Sequence, residues 1–334
     1  MHPRPKLFVS RCLGFEACRY NGAVIEDPLV AKLAGFCDVT TACPEKDTGL
    51  GVPRDPVRLA RAGGGIRMIQ PASGRDHTDA MTAFCAAKAA ELAGTALGSA
   101  RPPAGLPAVD GAVLKSRSPS CGMKDVKVYR STEKGAMADA GIGLFGQAVL
   151  SALGGAPVED EGRLKNYTIR EHFLSGLFAR ARFRAVAESG GPRELSEYQA
   201  RHKLLFLAVN QASMRRLGRI AANLERRPFP AVLSEYGAEL GTMFGSPAKP
   251  GGVINTALHA CGGFSERLSP LERKYFLDAV EEYRDERIPA SALFTLLKSW
   301  AVRFEVRYLL DQVFLDPFPK ELVEITDSGK GRDR

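Results

Sequence analysis

The apolar periodicity of this chain changes near residue 190, and that change limits what the chain can fold into. Before it, short runs rich in Val, Ile, Leu or Phe alternate with helical stretches. Leu7–Cys12, Asp38–Ala42, Ile66–Gln70 and Ala112–Lys115 read as strands. Asp76–Thr95 and Leu144–Leu153 read as helices, the first capped by Asp76 and the second ended by Gly154-Gly155. Strands separated by helices predict parallel βαβ units with helices on both faces, an α/β fold of the Rossmann-like three-layer kind with a mostly parallel sheet. From Leu195 onward the spacing is helical almost throughout, as in Leu204, Leu205, Ala208, Val209 and Ala212. Breaks at Pro228, Pro230, Pro250, Pro270, Pro289 and Pro317 divide this part into about five or six helices, one of them opened by the capping pattern Ser269-Pro270-Leu271-Glu272. The expected organisation is an α/β domain over 1–190, an all-α domain over 195–327 and a disordered tail over 328–334. The boundary falls in Glu188-Ser189-Gly190-Gly191-Pro192.

Charge and cysteine usage narrow the function classes. The net charge is +8, and residues 1–190 hold 25 Lys and Arg against 19 Asp and Glu. A basic excess favours anionic ligands such as nucleotides or RNA. No run of about 18 apolar residues exists to span a membrane. Met1-His2-Pro3-Arg4-Pro5-Lys6 lacks the apolar core and cleavage site of a secretory signal. The expected location is the cytoplasm, where the 7 cysteines act as thiols or metal ligands rather than disulfides.

Three of those cysteines stand just beyond, or on, predicted strand ends: Cys12 after Phe8-Val9-Ser10-Arg11, Cys43 after Val39-Thr40-Thr41-Ala42, and Cys121 after Leu114-Lys115-Ser116-Arg117-Ser118-Pro119-Ser120. In a parallel sheet such ends share one edge, where ligands gather, so thiolates remote in sequence converge. Three thiolates suit an iron–sulfur cluster with one iron lacking a protein ligand, open to a substrate sulfur or oxygen as a Lewis acid. Simple packing is the competing role for any one cysteine, and Cys37, Cys85 and Cys261, among apolar neighbours, fit it. Zinc is the competing metal, although C-x2-C pairs are absent and no histidine is close in sequence.

The segments Val9-Ser10-Arg11-Cys12-Leu13-Gly14 with Cys18-Arg19-Tyr20-Asn21-Gly22, Cys43-Pro44-Glu45 through Gly51-Val52-Pro53-Arg54, and Leu114-Lys115 through Ser118-Pro119-Ser120-Cys121-Gly122 resemble the thiouracil desulfidase family. Residues 195–325 resemble the YbgA-like helical domain, through Tyr198 to Lys203, Gly262 to Leu268 and Leu309 to Pro319. The first resemblance implies a [4Fe–4S] cluster on Cys12, Cys43 and Cys121 with one open iron, and catalytic roles for Glu45 and Ser118. It also implies non-redox removal of sulfur from thiolated uracils or their nucleotides, 4-thiouridine derivatives among them. The sequence departs from the family pattern at Arg11, where a small residue is common, and at Asn21, where aspartate is usual.

On this reading Glu45 takes a proton from the attacking water and Ser118 orients water or ring. Arg19 and Arg54 are the candidate phosphate contacts, with surface ion pairs as their other role. The partner is then a small thiolated pyrimidine or nucleotide. Two readings from other classes stand beside it: an RNA-binding protein that grips thiolated tRNA through the helical domain, and a structural metal-site protein without catalysis. Other signals lead to structure. Gly141-Ile142-Gly143-Leu144-Phe145-Gly146 follows no convincing strand and reads as a glycine-eased helix start. Gly63-Gly64-Gly65 reads as a turn. Residues 163–184 read as an amphipathic helix that packs Phe173, Leu177 and Phe178 and solvates its arginines.

Overall fold

The computed structural model describes residues 2–97 and 102–324, so the tail expected at 328–334 lies outside the described residues. The chain forms two compact units, Pro3–Phe173 with the described residues from Leu322, and Leu174–Glu321 with His2.

The first unit is built on β1 (Lys6–Ser10), whose Leu7, Phe8 and Val9 are wholly buried. The chain returns through α1 (Pro28–Phe36), capped by Asp27, whose carboxylate accepts the N–H groups of Leu29 and Val30. It then enters β2 (Asp38–Ala42) and turns at once into α2 (Pro44–Asp47). β1 pairs in parallel with β2 on one side, Ser10 opposite Ala42, and with β6 (Gly111–Leu114) on the other, Val9 opposite Val113. β6 pairs in parallel with β9 (Val158–Asp160), Leu114 opposite Asp160. This four-stranded sheet, ordered β2-β1-β6-β9, is the predicted parallel sheet.

A second sheet is not legible in the sequence. It is mixed, ordered β5-β4-β3-β7-β8, from β3 (Arg58–Ala62), β4 (Gly65–Gln70), β5 (Arg75–Asp76), β7 (Val126–Tyr129) and β8 (Ala138–Gly141). The Ile66–Gln70 strand is therefore antiparallel to β3 rather than part of a βαβ unit. Gly63 and Gly64 join the two at φ 59° and 79°, the left-handed pair that a two-residue hairpin turn requires. The residues before the glycine motif do form a strand, but β8 is an edge strand antiparallel to β7, which is not the setting of a dinucleotide fold. Helices α3 (Thr78–Ala93) and α4 (Leu144–Ala152) supply Met81, Cys85, Phe145 and Val149 to a core shared with Phe8, Leu59, Leu114 and Val128. Cys37 and Cys85 are buried, as expected of packing cysteines.

The second unit continues α5 (Tyr167–Ser189) into α6 (Pro192–Val209), α7 (Gln211–Ala222), α8 (Phe229–Met243), α9 (Pro250–Gly262), α10 (Pro270–Arg284), α11 (Ala290–Arg303) and the short α12 (Arg307–Leu310). Ser269 and Glu272 form the predicted reciprocal cap of α10. Phe173, Leu177 and Phe178 of α5 are buried as expected, but Arg170, Arg180 and Arg184 are buried with them rather than solvated. The Arg170 guanidinium, for example, donates to the carbonyls of Leu164 and Glu324 at 2.9 and 2.6 Å. No described helix is long and apolar enough to cross a membrane.

The glycines of Gly141-x-Gly143-x-x-Gly146 serve close approach. A Cβ on Gly143 would sit 2.4 Å from the Ser120 carbonyl oxygen, and one on Gly146 2.4 Å from that of Gly122. The first N–H groups of α4 instead reach the 119–122 loop: Gly143 N–H donates to Gly122 O at 2.7 Å, and those of Phe145 and Gly146 donate to Ser120 O at 2.9 Å. Helix donors that have no partner inside α4 thus hold the Cys121 loop. Gly146→Ala should force backbone apart at this contact and cost about 1–3 kcal/mol, read as a lowered midpoint of the first unit in thermal unfolding. An unchanged midpoint would contradict the contact.

Candidate active site

The carboxyl ends of β1, β2, β6 and β9 open onto a cavity of about 760 Å³. Its wall includes Cys12, Cys43 and Cys121, together with Glu45, Ser118, Arg19 and Arg54. Every site residue expected from the sequence therefore faces one space. Cys12 lies two residues beyond β1, Cys43 is the residue that starts α2, and Cys121 sits in the loop held by α4. Arg11 is a clasp between these elements: its backbone N–H donates to Ala42 O at 3.0 Å, and its guanidinium grips both oxygens of Asp47 at 2.7 and 3.1 Å. Asn21 accepts the Ala23 N–H at 3.2 Å, a turn that asparagine makes as well as aspartate.

Cys12 and Cys121 stand in an environment that disfavours uncompensated negative charge. Burial, followed by the nearby Cys43, pushes Cys12 up to about 11. Burial pushes Cys121 well above the ordinary thiol range, opposed in part by a hydrogen bond with the Ser10 hydroxyl. A fourth thiol, Cys18, also lines the cavity and is buried; burial and its contact with Cys43 raise it to about 12. The Cys43 Sγ lies 3.7 Å from the Cys18 carbonyl oxygen. Cys18 stands within one of the motifs above, but nothing in the sequence sets it against Cys43. Among the described residues no group of three His, Cys, Asp or Glu side chains stands close enough to share a single metal ion.

Glu45 is buried and held on both oxygens. Arg54 donates to its Oε2 from Nε at 3.0 Å and from a terminal nitrogen at 2.6 Å, while the Ser120 hydroxyl donates to Oε1 at 2.7 Å. Ser118 Oγ is 2.9 Å from Ser120 Oγ, so the serine expected to be catalytic reaches the carboxylate through a second serine. The remaining terminal nitrogen of Arg54 donates to the carbonyls of Cys18 and Gly51 at 3.1 and 2.9 Å, which commits its guanidinium to the wall. Arg19 has no carboxylate partner among the described residues; its guanidinium lies 5.5 Å from the Tyr20 ring centroid. On the far wall Glu161, just past β9, accepts from the Ser116 N–H at 2.8 Å and the Ser116 hydroxyl at 2.7 Å, and pairs with Lys115. Sequence reasoning misses Ser120, Glu161 and the Glu45–Arg54 pair. The signal available for Ser120 is its place inside Ser118-Pro119-Ser120-Cys121.

The donor set fits an iron–sulfur cluster. Three soft thiols converge on one cavity at the end of a parallel sheet, and the Ser10 hydroxyl is placed to donate to the Cys121 sulfur.

Residues 7–161 match the family described as 2-thiouracil desulfurase, and residues 203–319 match a protein family of unknown function, DUF1722. The chain is 34% identical over 124 residues to the uncharacterized protein YbbK of Bacillus subtilis (strain 168), covering 35% of this chain and 72% of that protein. It is 25% identical over 158 residues to the uncharacterized protein YbgA of Escherichia coli (strain K12), covering 47% and 93%. A solved structure described as a [4Fe-4S]-dependent thiouracil desulfidase, TudS, is similar at 25% identity and a TM-score of 0.34, over 48% of this chain and 93% of that one.

The Glu45–Arg54 pair has side chains only 12% and 4% exposed. Breaking it from one side leaves a buried charge alone, so Arg54→Met should destabilise the first unit by about 3–5 kcal/mol. Combining it with Glu45→Gln should cost clearly less than the sum, because no lone charge then remains. Additive losses in chemical denaturation would show that the pair is not coupled.

Proposed function

The chain belongs to the 2-thiouracil desulfurase family through its first unit, with a DUF1722 domain behind it, and from this premise we propose that it hydrolytically removes sulfur from a thiolated uracil compound, giving the oxo-pyrimidine and hydrogen sulfide. The observation that carries the reading is one cavity lined by three strand-end cysteines and a clamped, buried carboxylate. Cys12, Cys43 and Cys121 would hold a [4Fe–4S] cluster with one open iron, which supplies a soft Lewis acid to polarise the thiocarbonyl. The chain's own residues handle the water. Glu45 accepts a proton from it as oxygen attacks the ring carbon. Arg54 holds the carboxylate in place, and the Ser118–Ser120 hydroxyl pair gives the proton a hydrogen-bonded route away. As the C–S bond breaks, the electron pair leaves with sulfur, and the two water protons end on it as hydrogen sulfide. No electron is gained or lost overall. The open cavity accommodates a base, nucleoside or nucleotide, with 4-thiouridine monophosphate, 4-thiouridine and 2-thiouracil as candidate substrates.

A second reading, contact with thiolated RNA through the helical unit, draws on α7. Arg215 and Arg219 are exposed one helical turn apart, without a carboxylate partner among the described residues. RNA binding that weakens steeply with salt and is lost in an Arg215→Ala, Arg219→Ala protein would support it.

Protein reconstituted anaerobically should bind about four irons with matching acid-labile sulfide. Replacing Cys12, Cys43 or Cys121 with serine should sharply lower both. Full iron loading in any of these three variants would remove that residue from the ligand set, and zinc in place of iron would leave the structural-site reading. Glu45→Gln should keep the cluster and lower sulfide release by about a hundredfold or more. Ser118→Ala should cost less, because water can stand in for a hydroxyl.

A further inference from the structure

Cys18 has no part in the proposed chemistry, yet the structure sets its sulfur against that of a proposed cluster ligand. It is fully buried, and its backbone is held on both sides: the N–H donates to Glu16 O at 2.8 Å, and the carbonyl accepts from Arg54 at 3.1 Å. Cys43 is held as well. Its N–H donates to the Asp47 carboxylate at 3.2 Å, and its Sγ lies 3.7 Å from the Cys18 carbonyl oxygen. A side-chain hydrogen bond joins the two thiols.

That hydrogen bond sets this pair apart. The other links among the cavity thiols are of charge: Cys43 acts on Cys12, Cys12 acts on Cys18, and Cys12 and Cys43 act on Cys121. Packing alone does not account for Cys18 either. Cys85, a packing cysteine of the core, is raised by burial with no second sulfur beside it. Both Cys18 and Cys43 are free thiols here, 25 residues apart in the chain and in side-chain contact. Side-chain rotation is then the movement that separates them from a bond.

We propose that Cys18 and Cys43 close into a reversible disulfide when the cluster is absent, so that oxidation withholds Cys43 from the cluster until a thiol reductant returns it. The oxidant is a small-molecule disulfide of the glutathione class. The Cys43 sulfur, which lines the cavity, attacks its S–S bond, giving a mixed disulfide and one free small thiol. The Cys18 sulfur then attacks Cys43 Sγ: the Cys18–Cys43 bond forms, the mixed bond breaks, and the second small thiol leaves. Two protein thiols lose two electrons, the small disulfide gains them, and both protons end on the released thiols. The second step joins groups already in contact, which favours it over a further encounter in solution. The bond also keeps Cys43 from the sulfinic and sulfonic acids, which thiols do not reduce. The disulfide stands without the desulfuration reading; its effect on loading rests on Cys43 being a cluster ligand.

The test holds the full-length protein, cluster-free and cluster-loaded, anaerobically with glutathione disulfide, then alkylates it for peptide mass spectrometry. The cluster-free protein should lose two of its 7 thiols to a bond placed by fragmentation between Cys18 and Cys43. Its acceptance of a preformed [4Fe–4S] cluster, supplied without free sulfide or dithiol, should fall about tenfold or more, and dithiothreitol should restore it. The loaded protein should form no such bond. In Cys18→Ala the glutathione adduct should remain on Cys43, because no neighbouring thiol resolves it. Cys18→Ser, with a different packing change, should behave the same way. Free thiols at both positions after oxidation, a bond from Cys43 to Cys12 or Cys121 instead, or no retained adduct in either variant would overturn the pairing. A Cys18–Cys43 bond that leaves cluster acceptance unchanged would overturn the gating and remove Cys43 from the ligand set. If bond and gating are both present while no thiolated substrate releases sulfide, the inference stands and the desulfuration reading falls.

Discussion

Parallel pairing of β1 with a strand on each side is the constraint from which the site follows. Because β2, β1, β6 and β9 all run the same way, the residues just past their ends must share one edge. Cys12, Cys43, Glu45, the 115–121 loop and Glu161 all lie just past those ends. An antiparallel partner at either side of β1 would send Cys43 or Cys121 to the opposite edge. The wholly buried Leu7, Phe8 and Val9 fix β1 in place, and a slip of one residue would turn its core face outward.

On that edge the fold does two kinds of positioning. Backbone carbonyls of the Cys121 loop are gripped by the first N–H groups of α4, at a distance that only glycine at 143 and 146 allows. The Glu45 carboxylate is gripped by side chains, Arg54 on one oxygen and Ser120 on the other. A buried carboxylate so clamped has little rotamer freedom left, and its oxygens find in Arg54 and Ser120 the donors that water would supply outside. The same contacts link α2, the 51–54 segment and the Cys121 loop, which ties Glu45 to the segments that carry Cys43 and Cys121.

Much of this is legible in the sequence alone. The Leu7–Cys12, Asp38–Ala42 and Ala112–Lys115 runs are short, and a cysteine ends or follows each, so strand, edge and thiol convergence can be read together. The helical unit is legible from its spacing and prolines. The second sheet is not: Arg58-Leu59-Ala60-Arg61-Ala62 has no strand signature, and Ala138–Gly141 is an edge strand of small residues. The buried arginines on α5 defeat the sequence reading because long cationic side chains are normally solvated; the Arg170 partners are backbone carbonyls, which sequence does not display. The candidate residues can be found as types, while their pairings are hidden. Arg54 reads as a phosphate contact or a surface ion pair because sequence does not show that its partner is the buried Glu45, and Ser120 is passed over for Ser118 in the same motif.

In the proposed reaction water, activated at Glu45, replaces sulfur without net electron transfer. The most direct measurement is turnover of a thiolated uridine by the reconstituted protein in 18O-labelled water, with sulfide counted and no reductant present. A hydrolytic reaction releases one sulfide per oxo-pyrimidine formed and places one 18O atom in each product. Product without the label, or turnover that stops unless a reductant is supplied in proportion, would contradict it.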